Sequence, residues 1–169
     1  MRFFTKRRFP FDYHSLLKIA AGKNPVKTRL IEFSAGALKY FSGKDIRQLA
    51  LDKLKSQKTP HIYLNLLVSN YKKGDYNLLS EILNRSDSHD FIHSIGFGYF
   101  DIYQANKTKE CLQPLEAIYN KKNCGLCRKR VIQLLVDNNV LSDKIRQEIK
   151  FDSNQEVRKL YKPIAKNGR

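Results

Sequence analysis

The chain has 169 residues and a mass of 19.8 kDa, with 41% apolar and 28% charged residues, 8 Gly and 5 Pro. That length suits one domain with a real core, and the composition excludes both a disordered polar chain and a collagen-like one. Lys and Arg number 32 against 16 Asp and Glu, a formal charge of +16, which favours an acidic partner without choosing a fold.

The positive charge sits at the two ends. Residues 1–60 carry 14 basic and 4 acidic side chains, residues 61–120 carry 5 and 7, and residues 121–169 carry 13 and 5. Of the 32 basic residues 21 are Lys, a count that a general preference for Lys on a solvated surface also produces.

In chain order, residues 1–11 form a basic and aromatic segment in which Arg2, Lys6, Arg7 and Arg8 alternate with Phe3, Phe4, Phe9 and Phe11. Such a mix can grip phosphate while its rings stack, or the rings can simply cap the first hairpin. The basic start runs into Pro10, Asp12, His14 and Lys18 rather than an apolar stretch, so no secretory signal and a cytoplasmic location are expected. Asp12 is placed to cap a helix reaching Ala21 and ended by Gly22; Asn24 and Pro25 open the next, and Thr59 with Pro60 repeats that device. The 13-residue uncharged run Thr59 to Tyr71 contains His61, Asn65 and Asn70, is too short to span a membrane and reads as a buried helix. Gly74 supplies a stop, and further helices are predicted to start after Asp75, Thr108, Asn123, Ser142 and Asn154.

Apolar residues fall on one stripe of each segment: Ile46, Leu49, Ala50 and Leu54; Leu78, Leu79, Ile82 and Leu83; Cys111, Leu112, Leu115 and Ile118; Val131, Leu134 and Leu135. No segment reads as a strand. About ten helices joined by linkers of roughly 2 to 6 residues predict antiparallel pairs in a helical stack. Aligning the first helix of each pair superposes Arg29, Tyr63, His93, Arg128 and Arg158, spaced 34, 30, 35 and 30 residues apart, a period of about one helical hairpin. The predicted fold is therefore all-α: one domain over residues 1–169, with an α-solenoid of about four antiparallel hairpins plus a terminal helix over 12–165 and a short tail at 166–169.

The run Asp152-Ser-Asn-Gln-Glu-Val-Arg158-Lys-Leu, an Asp-rich turn feeding a Val-Arg helix, resembles the start of a HEAT repeat, and Pro25-Val-Lys-Thr-Arg29 is a looser copy. The resemblance covers roughly residues 24–165. Tyr63 and His93 stand where the pattern has Arg, and the period is shorter than the HEAT value of about 40 to 47 residues, so a tetratricopeptide-like or other hairpin array remains open. What the resemblance implies is a HEAT-like superhelix that binds other macromolecules, with no chemistry attached.

Cys124-Gly-Leu-Cys127 raises a zinc or redox reading, because two thiols at that spacing can chelate one ion or close a small disulfide. Cys111 is a candidate third ligand and His89 or His93 a fourth, but no second ligand pair is read from the sequence, so the expectation is that Cys111, Cys124 and Cys127 hold no metal. Thioredoxin-type chemistry wants a strand before the motif, where this chain has a loop. Lys121, Lys122, Arg128, Lys129 and Arg130 flank the motif and favour a thiolate there. Packing of small residues at a helix start explains the cysteines without chemistry. Arg29, Arg128 and Arg158 read as residues that tie each helix to a preceding turn, Asp152 being the expected partner of Arg158. Gly96 and Gly98 lie inside a helical segment at a cost of about 1 kcal/mol each relative to Ala, offset by close helix approach or a kink. No phosphate loop, His-Glu-x-x-His pattern or nucleophile elbow occurs, and no cofactor or enzymatic activity is expected.

The functional expectation is a non-catalytic helical-repeat adaptor that binds another protein, an acidic one by charge. The alternative is a nucleic-acid binder whose basic ends straddle a phosphate backbone, through Arg2, Lys6, Arg7 and Arg8 at one end and Lys121, Lys122, Arg128, Lys129 and Arg130 at the other. A repeat-fold DNA glycosylase, also built from helical hairpins, is disfavoured by the short chain and the absence of Trp.

Overall fold

Apolar side chains three and four residues apart become helices throughout the computed structural model, which describes residues 2–22, 28–56, 60–121 and 124–161, without the side chains of Arg2 and Phe3. Among the described residues there is no strand, as the periodicity requires. The expected openings at Asn24–Pro25 and Thr59, the Asn123 cap and the tail at 166–169 lie outside those residues. The chain divides into two compact units, Met1–Lys72 and Lys73–Arg169.

The first unit contains α1 (His14–Ala21), α2 (Thr28–Leu38), α3 (Lys44–Ser56) and α4 (His61–Leu64), the last continuing as a 3-10 turn over Asn65–Leu67. Gly22 ends α1, as expected. Helix α2 packs against α1, α4 and the N-terminal 3-10 turn Arg2–Thr5. Its run Ser34-Ala35-Gly36-Ala37 is buried throughout. A Cβ at Gly36 would lie 3.0 Å from the Thr5 side chain, so the absence of a side chain there is what admits the N-terminal segment.

The second unit contains α5 (Tyr76–Leu83), α6 (His89–Ala105), α7 (Leu112–Lys121, preceded by a 3-10 turn from Lys109), α8 (Gly125–Asp137), α9 (Asp143–Glu148) and α10 (Gln155–Arg158). Helix α6 touches α7 and α8, α5 touches α7, α7 touches α8, and α8 touches α10. The core runs through Leu79, Ile82, Ile95, Tyr99, Ile102, Leu115, Ile118, Val131 and Leu135, all fully buried. The buried Tyr99 hydroxyl donates to the Leu79 carbonyl at 2.6 Å, as an aromatic with a polar tip must. Gly96 and Gly98 are both buried within α6.

Capping is mixed. Thr108 and Asn154 accept from the amides of Glu110 and Glu156 as expected. Asp75 and Ser142 precede their helices but make no side-chain bond to the first helical amides. Ser88, which no sequence signal singled out, accepts from Phe91 N at the start of α6.

One polar device recurs. Asn70, Asn106 and Asn138 each donate a side-chain amide proton to the carbonyl four residues earlier, that of Leu66, Ile102 and Leu134 respectively. Asn70 and Asn138 also reach a preceding turn: Asn70 Oδ1 accepts from Gly43 N at 2.9 Å and its Nδ2 donates to Phe41 O, while Asn138 Oδ1 accepts from Thr108 N at 2.8 Å. Helix ends leave backbone groups to be satisfied from outside the helix, and one amide side chain here joins the end of its own helix to an amide of the neighbouring turn, the Ile102 and Leu134 carbonyls also accepting from the backbone amides of Asn106 and Asn138. Both are buried, Asn70 at 8% exposure and Asn138 at 6%. Replacing either by Ala removes the acceptor of the Gly43 or the Thr108 amide, so Asn70→Ala and Asn138→Ala are each expected to cost about 1–3 kcal/mol in urea unfolding. Asn106→Ala, at a half-buried site, should cost less. A loss under about 0.5 kcal/mol at Asn138 would place it among ordinary surface substitutions.

Candidate functional site

The second basic cluster is largely consumed by the fold. Lys121, at the end of α7, donates to the Leu83 carbonyl at 2.9 Å and pairs with Asp87 at 2.8 Å. Lys129 pairs with Glu156 at 3.0 Å, and Arg130 donates to Gln104. Arg128 forks onto Asp152, with Nε and Nη2 at 2.8 and 2.7 Å from its two oxygens. Lys122 lies outside the described residues.

Arg158 does bond the turn at Asp152, as expected, but through the backbone, while the Asp152 carboxylate goes to Arg128. Arg128 reaches the turn before α10 from the neighbouring helix α8 and matches both carboxylate oxygens, a bidentate geometry that a fork donor favours. Arg158 instead donates to the backbone carbonyls of Asp152 and Ser153 at 2.7 and 2.9 Å. Arg29 is exposed on α2, and Arg128 and Arg158 meet the same turn in different ways, one through its carboxylate and one through its backbone.

In the N-terminal cluster Lys6, Arg7 and Arg8 are exposed. The Arg8 guanidinium lies 5.0 Å from the Phe41 ring centroid, close enough for a cation–π contact. Phe4, Phe9 and Phe11 form a chain of edge-on contacts at 5.0 and 5.5 Å, with Phe11 71% exposed at its end. The Arg2 side chain is outside the described set.

A different cluster forms where α6 meets α8. Cys124 immediately precedes α8, Cys127 sits in its first turn, and His93 comes from α6. Their two sulfurs and one ring nitrogen all lie within 4.8 Å of one another, with Cys127 Sγ 3.8 Å from His93 Nδ1. Cys111 is not part of it: it is fully buried in the 3-10 turn before α7, and burial pushes its thiol up to about 11. The glycine of the motif has a packing reason, because a Cβ on Gly125 would collide with the side chain of Asn154, the cap of α10. His89, one turn before His93, lies with its ring at 14° and 6.0 Å from that of His93. Phe97, one turn after, meets His93 edge-on at 5.6 Å.

The sequence did hold a signal for this cluster: His89 and His93 are four apart on a helix, a spacing used by paired imidazole ligands. Apolar exposure marks the same place. Phe97 on α6 is 59% exposed, and Leu126, between the two cysteines, is 71% exposed. The chain matches no protein-family model, no curated protein and no solved structure. No helix among the described residues is long and apolar enough to cross a membrane.

The Arg128–Asp152 pair carries a pH signature. Its side chains are 13% and 6% exposed, and the hydrogen bonds from Arg128 hold the Asp152 carboxyl below its ordinary range. A carboxyl depressed in the folded state adds stability that is complete above its unfolded value of about 3.9 and is lost as the pH falls through the folded value. Asp152→Asn should therefore lower stability by about 3 kcal/mol at neutral pH, since it strands a largely buried guanidinium. It should also flatten the dependence of unfolding free energy on pH below about 4, read by urea unfolding across the acid range. An equally steep acid limb in the variant would assign that dependence to other carboxyls.

Proposed function

We propose that the chain is a non-catalytic helical-repeat adaptor that binds another protein, one presenting an apolar anchor within an acidic surface. The observation that carries this reading is the exposure of Phe97 and Leu126 on α6 and α8, two helices in contact. Large apolar side chains left outside a well-filled core are the usual anchors of protein interfaces. Support for a hairpin array of the HEAT-like kind comes from the contacts of α6 with α8, α8 with α10 and α5 with α7, and from the asparagine device recurring at 70, 106 and 138. The net charge of +16 supports an acidic partner.

The test is capture by the full chain, with and without nuclease and at low and high salt, compared with a Phe97→Ser/Leu126→Ser variant. Capture of a defined protein that survives nuclease and falls roughly tenfold in the variant is expected, in line with loss of about 1.4 kcal/mol or more at anchor residues. Equal capture by parent and variant would overturn the reading.

A nucleic-acid role is favoured only by the N-terminal segment, where Lys6, Arg7, Arg8 and the ring of Phe11 are all exposed. On that reading Arg7→Glu/Arg8→Glu flattens the log–log salt slope of DNA or RNA binding by about 1.5. Lys129→Glu/Arg130→Glu changes it little, because those side chains already have Glu156 and Gln104. Absence of binding by the parent at about 50 mM salt would eliminate the nucleic-acid role.

A further inference from the structure

We propose that Cys124, Cys127 and His93 form a zinc-binding site that ties the start of α8 to α6, with His89 turning to supply the fourth ligand. The donor set is two sulfurs and an imidazole, which suits borderline-soft Zn²⁺ rather than a hard cation. The distances fit as well. Zn–S bonds of ~2.3 Å and Zn–N bonds of ~2.0 Å at tetrahedral angles put sulfurs ~3.8 Å apart and sulfur ~3.6 Å from nitrogen. Here the three donor atoms already lie within 4.8 Å of one another, and Cys127 Sγ is 3.8 Å from His93 Nδ1. Small side-chain rotations close the remainder.

The local chain is built to hold that geometry. A cysteine just before a helix and another in its first turn face the same side, and the positive end of the 13-residue helix α8 favours the anionic sulfurs. Two thiolates cancel the charge of the ion, so the filled site is neutral and adds nothing to the basic surroundings. Gly125 lets the turn between the cysteines press against Asn154 of the α10 cap, where any side chain would push it away. Zinc would thus complete a turn already fixed on its far side.

His89 is the candidate for the fourth position on three grounds. It is one helical turn from His93, its ring is nearly parallel to that of His93, and its side chain is half exposed with Nδ1 3.8 Å from the fully exposed Asp90 carboxylate, a contact too long to hold it. The resulting arrangement is a Cys2His2 set with two-residue and three-residue spacers, a closed structural site rather than an open catalytic one. Protons compete with zinc for all of these donors, so retention falls at acid pH. If the adaptor reading holds, the ion also fixes Leu126 between the cysteines and Phe97 against His93. That link rests on the adaptor reading; the metal site does not.

The test uses the full chain, reduced, stripped with a chelator and titrated with Co²⁺ and then Zn²⁺. The expected result is one metal retained per chain, a cobalt complex with the intense visible bands of a tetrahedral thiolate site, and displacement of cobalt by zinc. Cys124→Ser and His93→Ala should each weaken binding roughly tenfold or more, with circular dichroism showing that the helices remain; both positions are partly exposed, which spares the core. Cys111→Ser should bind as the parent does. A parent that retains no cobalt or zinc at equimolar metal, or variants at 93 and 124 that bind as well as it does, would overturn the site. Unchanged affinity in His89→Ala would overturn the role of His89 alone.

Discussion

Backbone groups at helix ends are the polar atoms that a stack of short helices can least leave unpaired. Asn70 and Asn138 meet that constraint with one side chain each. The amide donates to a carbonyl of its own final turn and accepts from the backbone of a turn 27 or 30 residues earlier. Tyr99, bonded to Leu79 O, and Lys121, bonded to Leu83 O, extend the same solution to α5. The apolar core supplies the cohesion, but these bonds decide which turn lies beside which. A hydrophobic stripe alone would let packed helices slide by a helical turn.

Charge plays two different parts in this molecule. In the second unit Asp152, Glu156 and Asp87 take up Arg128, Lys129 and Lys121, so these basic side chains hold helices together. In the first unit Lys6, Arg7 and Arg8 face solvent. The net charge of +16 is unchanged by this pairing, but Arg128, Lys129 and Lys121 are engaged where they stand.

How far the fold was legible depended on the reach of each interaction. Gly22, Thr108 and Asn154 act on backbone within three residues of themselves, and each ends or starts a helix where the sequence placed it. The all-helical class was legible for the same reason, through spacings of three and four. The partner of Arg128 was not, because Asp152 is 24 residues away and competes in sequence with the nearer Arg158. The cysteine–histidine cluster was half legible. Both pairs have ligand spacing, yet only the contact of α6 with α8 makes them one group. That Phe97 and Leu126 remain exposed could not be read at all, since an apolar residue on a helix is ordinarily assigned to its core.

The turn bonds have a consequence for how the chain acquires its structure. Asn70 reaches back 27 residues to Gly43, Asn138 reaches back 30 to Thr108, and Glu110 reaches back 36 to Gly74. None of these closures waits for a distant part of the protein, and the loop entropy each must overcome is correspondingly small. Every clasp becomes available as soon as the next few dozen residues have left the ribosome. Within each unit, folding can then follow synthesis, each new helix docking on helices already made, with little exposed apolar surface outstanding at any moment.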